Sequence, residues 1–295
     1  MGGAIGSRLV AVLWVGALFT ASGCTDGSKP DIKRATTLEK IRKAGVVRVG
    51  YANEAPYAYL NTDTGEVTGE APMIARVIMK KLGVKRVEGV LTEFGALIPG
   101  LKAGRFDVIA AGMYVLPERC DQIAFTNPTY RIGEGFLVKK GNPMGLRSYE
   151  DAASNPEVVV GVVAGSVELS YARKTGIPKK RISILPDAPS AVAALQADRI
   201  HAYAGTSLTV NDMLQKAGDS LEIASPFSNP VIDGKPAVGY GAFGIRKEDV
   251  AFLAAFNKGL SGFIGAKEHL ELVEPFGFSE RETPGGMTAD DLCNR

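Results

Sequence analysis

The feature that most constrains the fold is a regular alternation of short apolar segments with amphipathic segments of helical period. Its first run consists of strands and helices predicted at 45–52, 71–83, 85–91, 95–104 and 105–113. Its second run consists of those predicted at 157–165, 166–176, 181–186, 190–197 and 199–205. Strands that alternate with helices favour parallel sheets covered by helices, so we predict an α/β fold. A chain of 295 residues is long enough for one large domain or two modest lobes.

The two runs resemble each other before their last strands. The segments "LKAGRFDVIAAG" (101–112) and "LQADRIHAYAG" (195–205) share Leu, Ala and Arg at matching offsets, which fits two lobes built alike. A further strand and two helices are predicted at 237–249, 250–264 and 266–277.

The two helices predicted in this final segment need a surface to pack against. The first run has too few helices of its own to cover its sheet, so we expect them to pack there. We therefore expect the chain to cross from one lobe to the other near Val138 and to return near Ala242. The predicted boundaries are 37–138 and 242–295 for lobe 1, and 139–241 for lobe 2. Two crossovers make a hinge, and the cleft between two lobes is where small ligands bind.

The amino terminus predicts export. Arg8 precedes an apolar run from Leu9 to Phe19 that is too short to span a bilayer but suits a secretory signal, predicted at 1–23. The following "ASGC" resembles a lipobox and favours lipidation of Cys24, with a polar tether at 24–36 that anchors the protein to a membrane. The alternative is an ordinary signal cleaved near the same place. In either case we expect a periplasmic or cell-surface protein.

If the protein is exported, its other two cysteines can form a disulfide, because disulfides persist outside the cytoplasm. If Cys24 carries a lipid, Cys120 and Cys293 remain as an even pair. We expect a bridge between them, which would hold the carboxyl-terminal tail beside the turn "PERC"; two free thiols are the alternative.

Charge and composition exclude some functions. The chain has 34 basic and 32 acidic residues, and no segment concentrates Lys and Arg with aromatic residues, so we expect no nucleic-acid partner. The two histidines, His201 and His269, lie in a predicted strand and a predicted covering helix, which favours structural roles. We predict no metal site and no cofactor.

Ligands of open α/β sheets bind beyond the carboxyl ends of the parallel strands. In lobe 1, Glu54 and Tyr57 follow the first predicted strand, Phe94 follows the second, and Tyr114 and Arg119 follow the third. Taken singly, each has an ordinary explanation in core packing or in a solvated turn. Their occurrence after three successive strands predicts one shared rim with aromatic faces, a carboxylate and a guanidinium.

Lobe 2 offers a helix start at the corresponding edge. In "AGSVE", Gly165, Ser166 and Val167 begin a helix and present free backbone N–H groups, which favour an anion. Ser166 is equally suited to a plain helix N-cap.

From about Thr37 to Gly277 the chain resembles the extracellular solute-binding proteins of polar amino-acid ABC importers. The resemblance rests on "TLEKIRKAGVVRVG", "FGALIPGLKAGRFDVIAAGMYVLPERCDQIAFTNPTY" and "VVVGVVAGSVELSYA". It implies a two-lobe type II periplasmic-binding-protein fold and a permease partner in the membrane. It also implies that Arg119 binds the carboxylate of the ligand in a bidentate manner and that residues 165–167 add backbone N–H donors to the same group.

One position departs from that pattern. Amino-acid binders of this class usually place an Asp after a motif like "LQADRIHAYAG", where this chain has Thr206. A compact ammonium group would therefore lack its counter-charge, whereas aromatic faces suit a diffuse cation.

The segments "VGYANEAPYAYLN" and "GEAPMIARVIMKKLG" resemble the ectoine/hydroxyectoine-binding subgroup. This resemblance implies a ligand site made of Glu54, Arg119 and an aromatic box of Tyr57, Phe94 and Tyr114. We predict a monomeric, non-enzymatic binding protein for a zwitterionic compatible solute. The alternatives are a polar or basic amino-acid receptor and, less favoured because Glu54 is the only acid placed at the rim, a dehydratase on the same fold.

Overall fold

The computed structural model describes residues 35–294. The predicted signal peptide, Cys24 and all but the last two residues of the predicted tether lie outside this range. None of the helices within it is long and apolar enough to cross a membrane.

The helices of the described region are α1 (Thr37–Ala44), α2 (Glu70–Lys81), α3 (Leu97–Lys102), α4 (Pro117–Cys120), α5 (Tyr149–Ser154), α6 (Val167–Lys174), α7 (Ala188–Gln196), α8 (Ser207–Ala217), α9 (Val250–Leu260), α10 (Lys267–Val273) and α11 (Ala289–Cys293). Short 3₁₀ turns lie at Phe94–Ala96, Lys179–Arg181, Gly218–Ser220, Glu274–Phe276 and Glu280–Glu282.

The strands of the described region are β1 (Val46–Tyr51), β2 (Tyr59–Leu60), β3 (Val67–Thr68), β4 (Arg86–Leu91), β5 (Val108–Ile109), β6 (Ala124–Phe125), β7 (Tyr130–Ile132), β8 (Glu134–Lys139), β9 (Val160–Val163), β10 (Ile182–Leu185), β11 (Ala202–Thr206), β12 (Leu221–Ile223), β13 (Val231–Ile232), β14 (Lys235–Pro236), β15 (Gly239–Gly241) and β16 (Gly244–Ile245).

Two five-stranded sheets organise the molecule. The first has the order β4-β1-β5-β16-β6, with β4, β1 and β5 parallel and β16 antiparallel to both of its neighbours. The second has the order β10-β9-β11-β8-β12, with β10, β9 and β11 parallel and β8 antiparallel to both of its neighbours. The predicted α/β class is confirmed.

A pair of short strands connects the two sheets. The chain leaves the first sheet after β6, passes through β7 and enters the second sheet at β8; it returns through β15 to β16. β7 and β15 pair antiparallel, from Gly239 opposite Ile132 to Gly241 opposite Tyr130. The predicted hinge of two crossover strands is therefore present. Its first crossover lies at Tyr130–Ile132 and not near Val138, which belongs to the second sheet.

Two predicted strands are shorter or more broken than expected. The segment 237–249 was expected to form one strand, but it forms β15 and β16, because its first half pairs with the crossover strand β7 and its second half joins the first sheet. The segment 105–113 forms regular strand only at Val108–Ile109. Hydrophobic pattern does not specify which partner a strand will find.

Helix termini follow local capping rules. Thr36 accepts a hydrogen bond from the backbone N–H of Glu39, whose side chain accepts from Thr36 in return, so α1 begins with a capping box where the predicted tether ends. Asp187 caps α7 in front of a Pro in its first turn.

Arg181 holds the end of α5 in place in the second lobe. Arg181 is 8% exposed and donates from its guanidinium to the carbonyl oxygens of Ala152, Ala153, Asn155 and Val158, at 2.6–3.0 Å. It therefore satisfies the carbonyl groups at the end of α5 and after it.

Cys120 in α4 and Cys293 in α11 form a disulfide with their Cα atoms 5.7 Å apart. The bridge joins residues 173 positions apart in the chain. It attaches the last helix directly to the short helix that carries Arg119.

Candidate ligand-binding cleft

A cavity lies at the edge where β1, β9 and β11 end, between residues of the two sheets. Its free volume, including its opening to solvent, is about 400 Å³. The residues that line it are Glu54, Tyr57, Phe94, Gly112, Tyr114, Arg119, Val163, Ser166, Val167, Glu168, Tyr203, Ala204 and Thr206. The structure thus brings together every residue predicted from the sequence to bind the ligand except Gly165, which directly precedes the lining residue Ser166.

Arg119 is the cation of this cavity. It is 7% exposed, and its two terminal nitrogens donate to the carbonyl oxygens of Tyr114 at 2.9 Å and of Gly165 at 3.0 Å. Its guanidinium carbon lies 5.6 Å from the centre of the Phe94 ring. Burial lowers the pKa of Arg119, and Glu168 opposes that effect. Each of these bonds uses one N–H of a group that has five, so further donors remain for an anion.

The aromatic walls are almost fully buried. Tyr57, Tyr114 and Phe94 are exposed by 1%, 3% and 9% respectively. The Tyr57 ring packs 5.1 Å from the ring of Tyr130 and 5.7 Å from that of Phe278, which hold it from behind. These contacts fix the ring positions independently of a ligand.

Glycines make room for two of these rings. A Cβ atom at Gly112, where φ is +66°, would lie 2.5 Å from the Tyr57 ring, and one at Gly239 would lie 1.8 Å from the Tyr114 ring. Any other residue at these positions would displace the aromatic walls, so the two glycines shape the cavity.

The helix start in the second lobe reaches the cavity as predicted. Ser166 and Val167 line it, and α6 begins at Val167. Gly165 has a φ of +77°, and a Cβ atom there would lie 2.7 Å from the Cα of Gly95. The two segments therefore approach this closely only because residue 165 is a glycine.

Glu54 links the two sides of the cleft. Its Oε1 accepts a hydrogen bond from the hydroxyl of Thr209 at 2.9 Å, and the position of Glu54 is fixed by a β-bridge to Ala58. Burial, and secondly repulsion from Glu168, raises the pKa of Glu54 to about 7, whereas the bond from Thr209 lowers it.

Thr206, the position that lacks the usual Asp, lines the cavity and caps α8. Its hydroxyl accepts from the phenol of Tyr57 at 2.8 Å and from the backbone N–H of Thr209 at 3.2 Å, and it donates to the Thr209 hydroxyl at 3.1 Å. The Thr206 hydroxyl is therefore occupied by protein partners.

Two buried glutamates were not predicted. Glu168 lies in the first turn of α6 and lines the cavity, and Glu134 begins β8; they are exposed by 6% and 5%. The phenol of Tyr114 donates to Oε1 of Glu134 at 3.4 Å. Burial raises the pKa of both carboxyls, and repulsion from Glu168 adds to the rise at Glu134, whose pKa lies well above its usual range.

The sequence contained a direct signal for Glu168, whereas the position of Glu134 follows from strand pairing. Glu168 directly follows the three residues assigned to the helix start. Glu134 stands at the head of an apolar strand, "GEGFLV", and pairs in register with Thr206 at the end of β11. Because β8 runs antiparallel to β11, its first residue lies at the same edge as the last residue of β11.

The two histidines lie outside the cavity lining. Nδ1 of His201 accepts from the backbone N–H of Val159 at 3.0 Å, and Nδ1 of His269 accepts from that of Gly265 at 3.2 Å. Both rings bind the local backbone, in agreement with the structural roles expected for them.

Residues 47–289 match the family of bacterial extracellular solute-binding proteins, family 3. The chain belongs to this family. It is accordingly the substrate-binding subunit of an amino-acid-type ABC importer, an exported protein that binds a small molecule and works with a membrane permease.

Individual relatives agree with this assignment. A probable amino-acid ABC transporter periplasmic-binding protein of Sinorhizobium fredii is 38% identical over 264 residues, which cover 88% of this chain and 87% of the relative. The lysine/arginine/ornithine-binding periplasmic protein of Escherichia coli is 28% identical over 72% of this chain and 80% of its own length.

Among solved structures, EhuB in complex with hydroxyectoine is similar, with a TM-score of 0.79 and 38% identity. The match covers 87% of this chain and 97% of EhuB. The resemblance to the ectoine/hydroxyectoine-binding subgroup and the type II periplasmic-binding-protein fold are thereby confirmed.

Proposed function

We propose that this protein captures ectoine or hydroxyectoine in the cleft between its two sheets and delivers it to the permease. The observation that carries the proposal is the combination lining one small cavity: a guanidinium, four aromatic rings and two carboxyls, those of the half-buried Glu54 and the buried Glu168. Such a cavity complements a compact zwitterion whose cation is part of a ring and bears N–H donors. The similarity to EhuB, solved with hydroxyectoine, supports the same choice.

Each half of the zwitterion has a matching group. Arg119, anchored to the carbonyl oxygens of Tyr114 and Gly165, has N–H groups left to bind a carboxylate in a bidentate manner, and the start of α6 adds backbone donors. At the other side, a planar cyclic amidinium would stack on the aromatic rings and donate its two ring N–H groups to Glu54 and Glu168.

The second candidate is a basic amino acid. The carboxyls of Glu54 and Glu168 favour it, as does the similarity to a lysine/arginine/ornithine-binding protein. Thr206 is the objection, because its hydroxyl is already bonded and a hydroxyl does not supply the counter-charge that an α-ammonium group requires.

Calorimetric titration and thermal shift with a matched set of ligands test the proposal. We expect ectoine and hydroxyectoine to bind, and a ligand at 100 times its dissociation constant to stabilise the protein by about 2.7 kcal/mol. Glycine betaine is the informative control, since it has a carboxylate and a cation but no N–H donor for the glutamates. Binding of lysine or arginine in place of ectoine would overturn the proposal in favour of the second candidate.

We further propose a non-catalytic protein, held at the membrane through a lipid on Cys24 and monomeric in solution. Mass spectrometry of the mature amino terminus and of a Cys24→Ala variant tests the anchor. An unmodified Cys24, or a mature chain that begins elsewhere, would contradict it.

A further inference from the structure

Four side chains, three of them buried and the fourth half-buried, form a continuous series of hydrogen bonds across the cleft. The phenol of Tyr57 bonds to the hydroxyl of Thr206 at 2.8 Å, Thr206 bonds to the hydroxyl of Thr209 at 3.1 Å, and Thr209 bonds to Oε1 of Glu54 at 2.9 Å. Tyr57 and Glu54 follow β1 of the first sheet, whereas Thr206 and Thr209 belong to β11 and α8 beside the second. We call this series the hydroxyl chain.

The direction of the hydroxyl chain follows from its donors. Each hydroxyl carries one proton, and the phenol of Tyr57 directs its proton to Thr206. Thr206 also accepts from the backbone N–H of Thr209, so its own proton goes on to the Thr209 hydroxyl. The proton of Thr209 then lies on its bond to Glu54, which ends the chain as an acceptor.

Because its hydroxyl groups are buried, the hydroxyl chain affects the charge of Glu54. Tyr57 is 1% exposed, Thr206 is 7% exposed and Thr209 is fully buried, so water does not replace a missing partner. Aligned hydroxyl groups in a medium of low dielectric constant polarise one another, and the last donor stabilises negative charge on the group that accepts from it. Glu54 itself lines the cavity, and Thr209 uses only its Oε1.

We propose that Thr209 is a positioning residue for ligand recognition: with Thr206 and Tyr57 it holds Glu54 as an oriented carboxylate whose Oε2 is available to the cation of the ligand. This inference rests on the proposed function and adds how the cleft keeps an acid charged beside buried hydroxyl and aromatic groups. It also assigns Thr206, the residue in place of the usual Asp, a role in the chain instead of direct contact with the cation.

Burial and a neighbouring acid disfavour the charged form of Glu54, whereas the hydrogen bond from Thr209 favours it. Glu168 is the charged neighbour that raises the pKa of Glu54, after burial itself, and Thr209 lowers it. Other titratable groups that interact with Glu54 are Glu134, Tyr57, Tyr130 and Tyr203. The cation Arg119 lines the same cavity and is unaffected by a change at Thr209. Because the bond from Thr209 lowers the pKa of Glu54, loss of this donor raises that pKa.

The first experiment needs no ligand. Infrared difference spectra across a pH titration follow the carboxyl band of Glu54, assigned by its loss in Glu54→Gln. We expect this band to titrate near pH 7 in the wild type, about one pH unit or more higher in Thr209→Val, and near the wild-type value in Thr209→Ser. An unchanged titration in Thr209→Val would overturn the inference.

The second experiment measures the dissociation constant of ectoine between pH 6 and pH 9. We expect Thr209→Val to weaken binding about tenfold or more at pH 7, because a hydrogen bond to a charged group is lost. The difference in dissociation constant between Thr209→Val and the wild type should become smaller towards pH 9, where Glu54 is ionised in both proteins. A deficit that is the same at every pH would mark Thr209 as merely structural and would overturn the inference.

The chain contains a matched control pair. Thr129 donates to Oε1 of the buried Glu70 at 2.6 Å, and burial likewise raises the pKa of Glu70 to about 7, but neither residue lines the cavity. Thr129→Val should leave the pH profile of ectoine binding unchanged; a profile shifted as in Thr209→Val would contradict the inference.

If the wild type binds no ectoine or hydroxyectoine, the proposed function fails, while the infrared titration still tests the hydroxyl chain.

Discussion

Arg119 illustrates how a single buried charge is prepared for its ligand. Its side chain is held by two backbone carbonyl oxygens, one from Tyr114 and one from Gly165 in the second lobe. These acceptors fix the plane of the guanidinium without neutralising it. A carboxylate that enters the cavity therefore meets a rigid donor, and little entropy is lost in ordering the protein side of the contact.

Substitution of Arg119 should remove ligand binding and leave the fold intact. We expect Arg119→Ala to abolish measurable binding and Arg119→Lys to weaken it at least tenfold, because an ammonium group does not reproduce the planar fork. Titration calorimetry measures the affinity, and circular dichroism checks the fold. Retained affinity in Arg119→Ala would show that the arginine belongs to an ordinary turn.

We expect ionisation of Glu54 to lower the stability of the folded protein and, at the same time, to strengthen ligand binding. Its pKa is raised to about 7 in the folded protein, above the value of about 4.5 expected when unfolded. Between these values the folded state binds more protons, so this group lowers stability as the pH rises from about 4.5 to 7. Its ionised form, in contrast, is the one that attracts the cation.

We therefore expect Glu54→Gln to raise the melting temperature at pH 8 by a few degrees and to weaken ectoine binding at least tenfold. The gain in stability should disappear at pH 5, where Glu54 is neutral in the wild type. Melting curves of the protein without solute at both pH values, together with calorimetry at pH 8, provide the measurement. A variant less stable than the wild type at pH 8 would contradict the expected linkage.

At the scale of elements, the alternating pattern predicted the parallel strands and the helices that connect them. It predicted the edge where Glu54, Phe94 and Arg119 meet, because the ends of parallel strands share one edge of a sheet. It did not predict Glu134, because that residue begins the antiparallel strand β8. The beginning of an antiparallel strand lies at the same edge as the ends of its parallel neighbours, and only the pairing of Glu134 with Thr206 reveals this.

The crossover strands were harder to locate for a related reason. β7 and β15 are each three residues long, and their neighbours in the chain, β8 and β16, continue the apolar pattern into different sheets. Side-chain periodicity specifies which face of a strand is buried but not which partner it pairs with. The sequence consequently predicted a hinge but placed its first crossover too late, near Val138.

The disulfide between α4 and α11 should stabilise the whole fold and, more weakly, the ligand site. It closes a loop of 173 residues, and cross-links of this kind typically contribute about 2–4 kcal/mol. We expect the double variant Cys120→Ser, Cys293→Ser to lose stability of this order in urea. Ligand affinity should fall less than tenfold, because Arg119 keeps both of its carbonyl partners. Equal stability of the variant and the wild type would contradict a structural role for the bridge.

At the scale of the whole molecule, the cleft is spanned by direct bonds between the two sides. Glu54 bonds to Thr209, Tyr57 bonds to Thr206, and Arg119 bonds to the carbonyl oxygen of Gly165. Tyr114 also bonds to Glu134 of the second sheet. The chain itself passes between the two sides through β7 and β15, whose short pairing concentrates bending at one place. A ligand held by Arg119 and Glu54 on the first side and by Glu168 and the start of α6 on the second interacts with both sides and so favours their approach.

Small-angle scattering should show this approach as a smaller radius of gyration on addition of saturating ectoine. Arg119→Ala is the matched control, because it retains both sheets and the hinge but lacks the group expected to hold the carboxylate. We expect its radius of gyration to stay constant over the same titration. A wild-type radius that stays constant while calorimetry reports saturation would show that binding does not draw the lobes together, since a ligand shifts a conformational equilibrium only by its differential affinity for the two states.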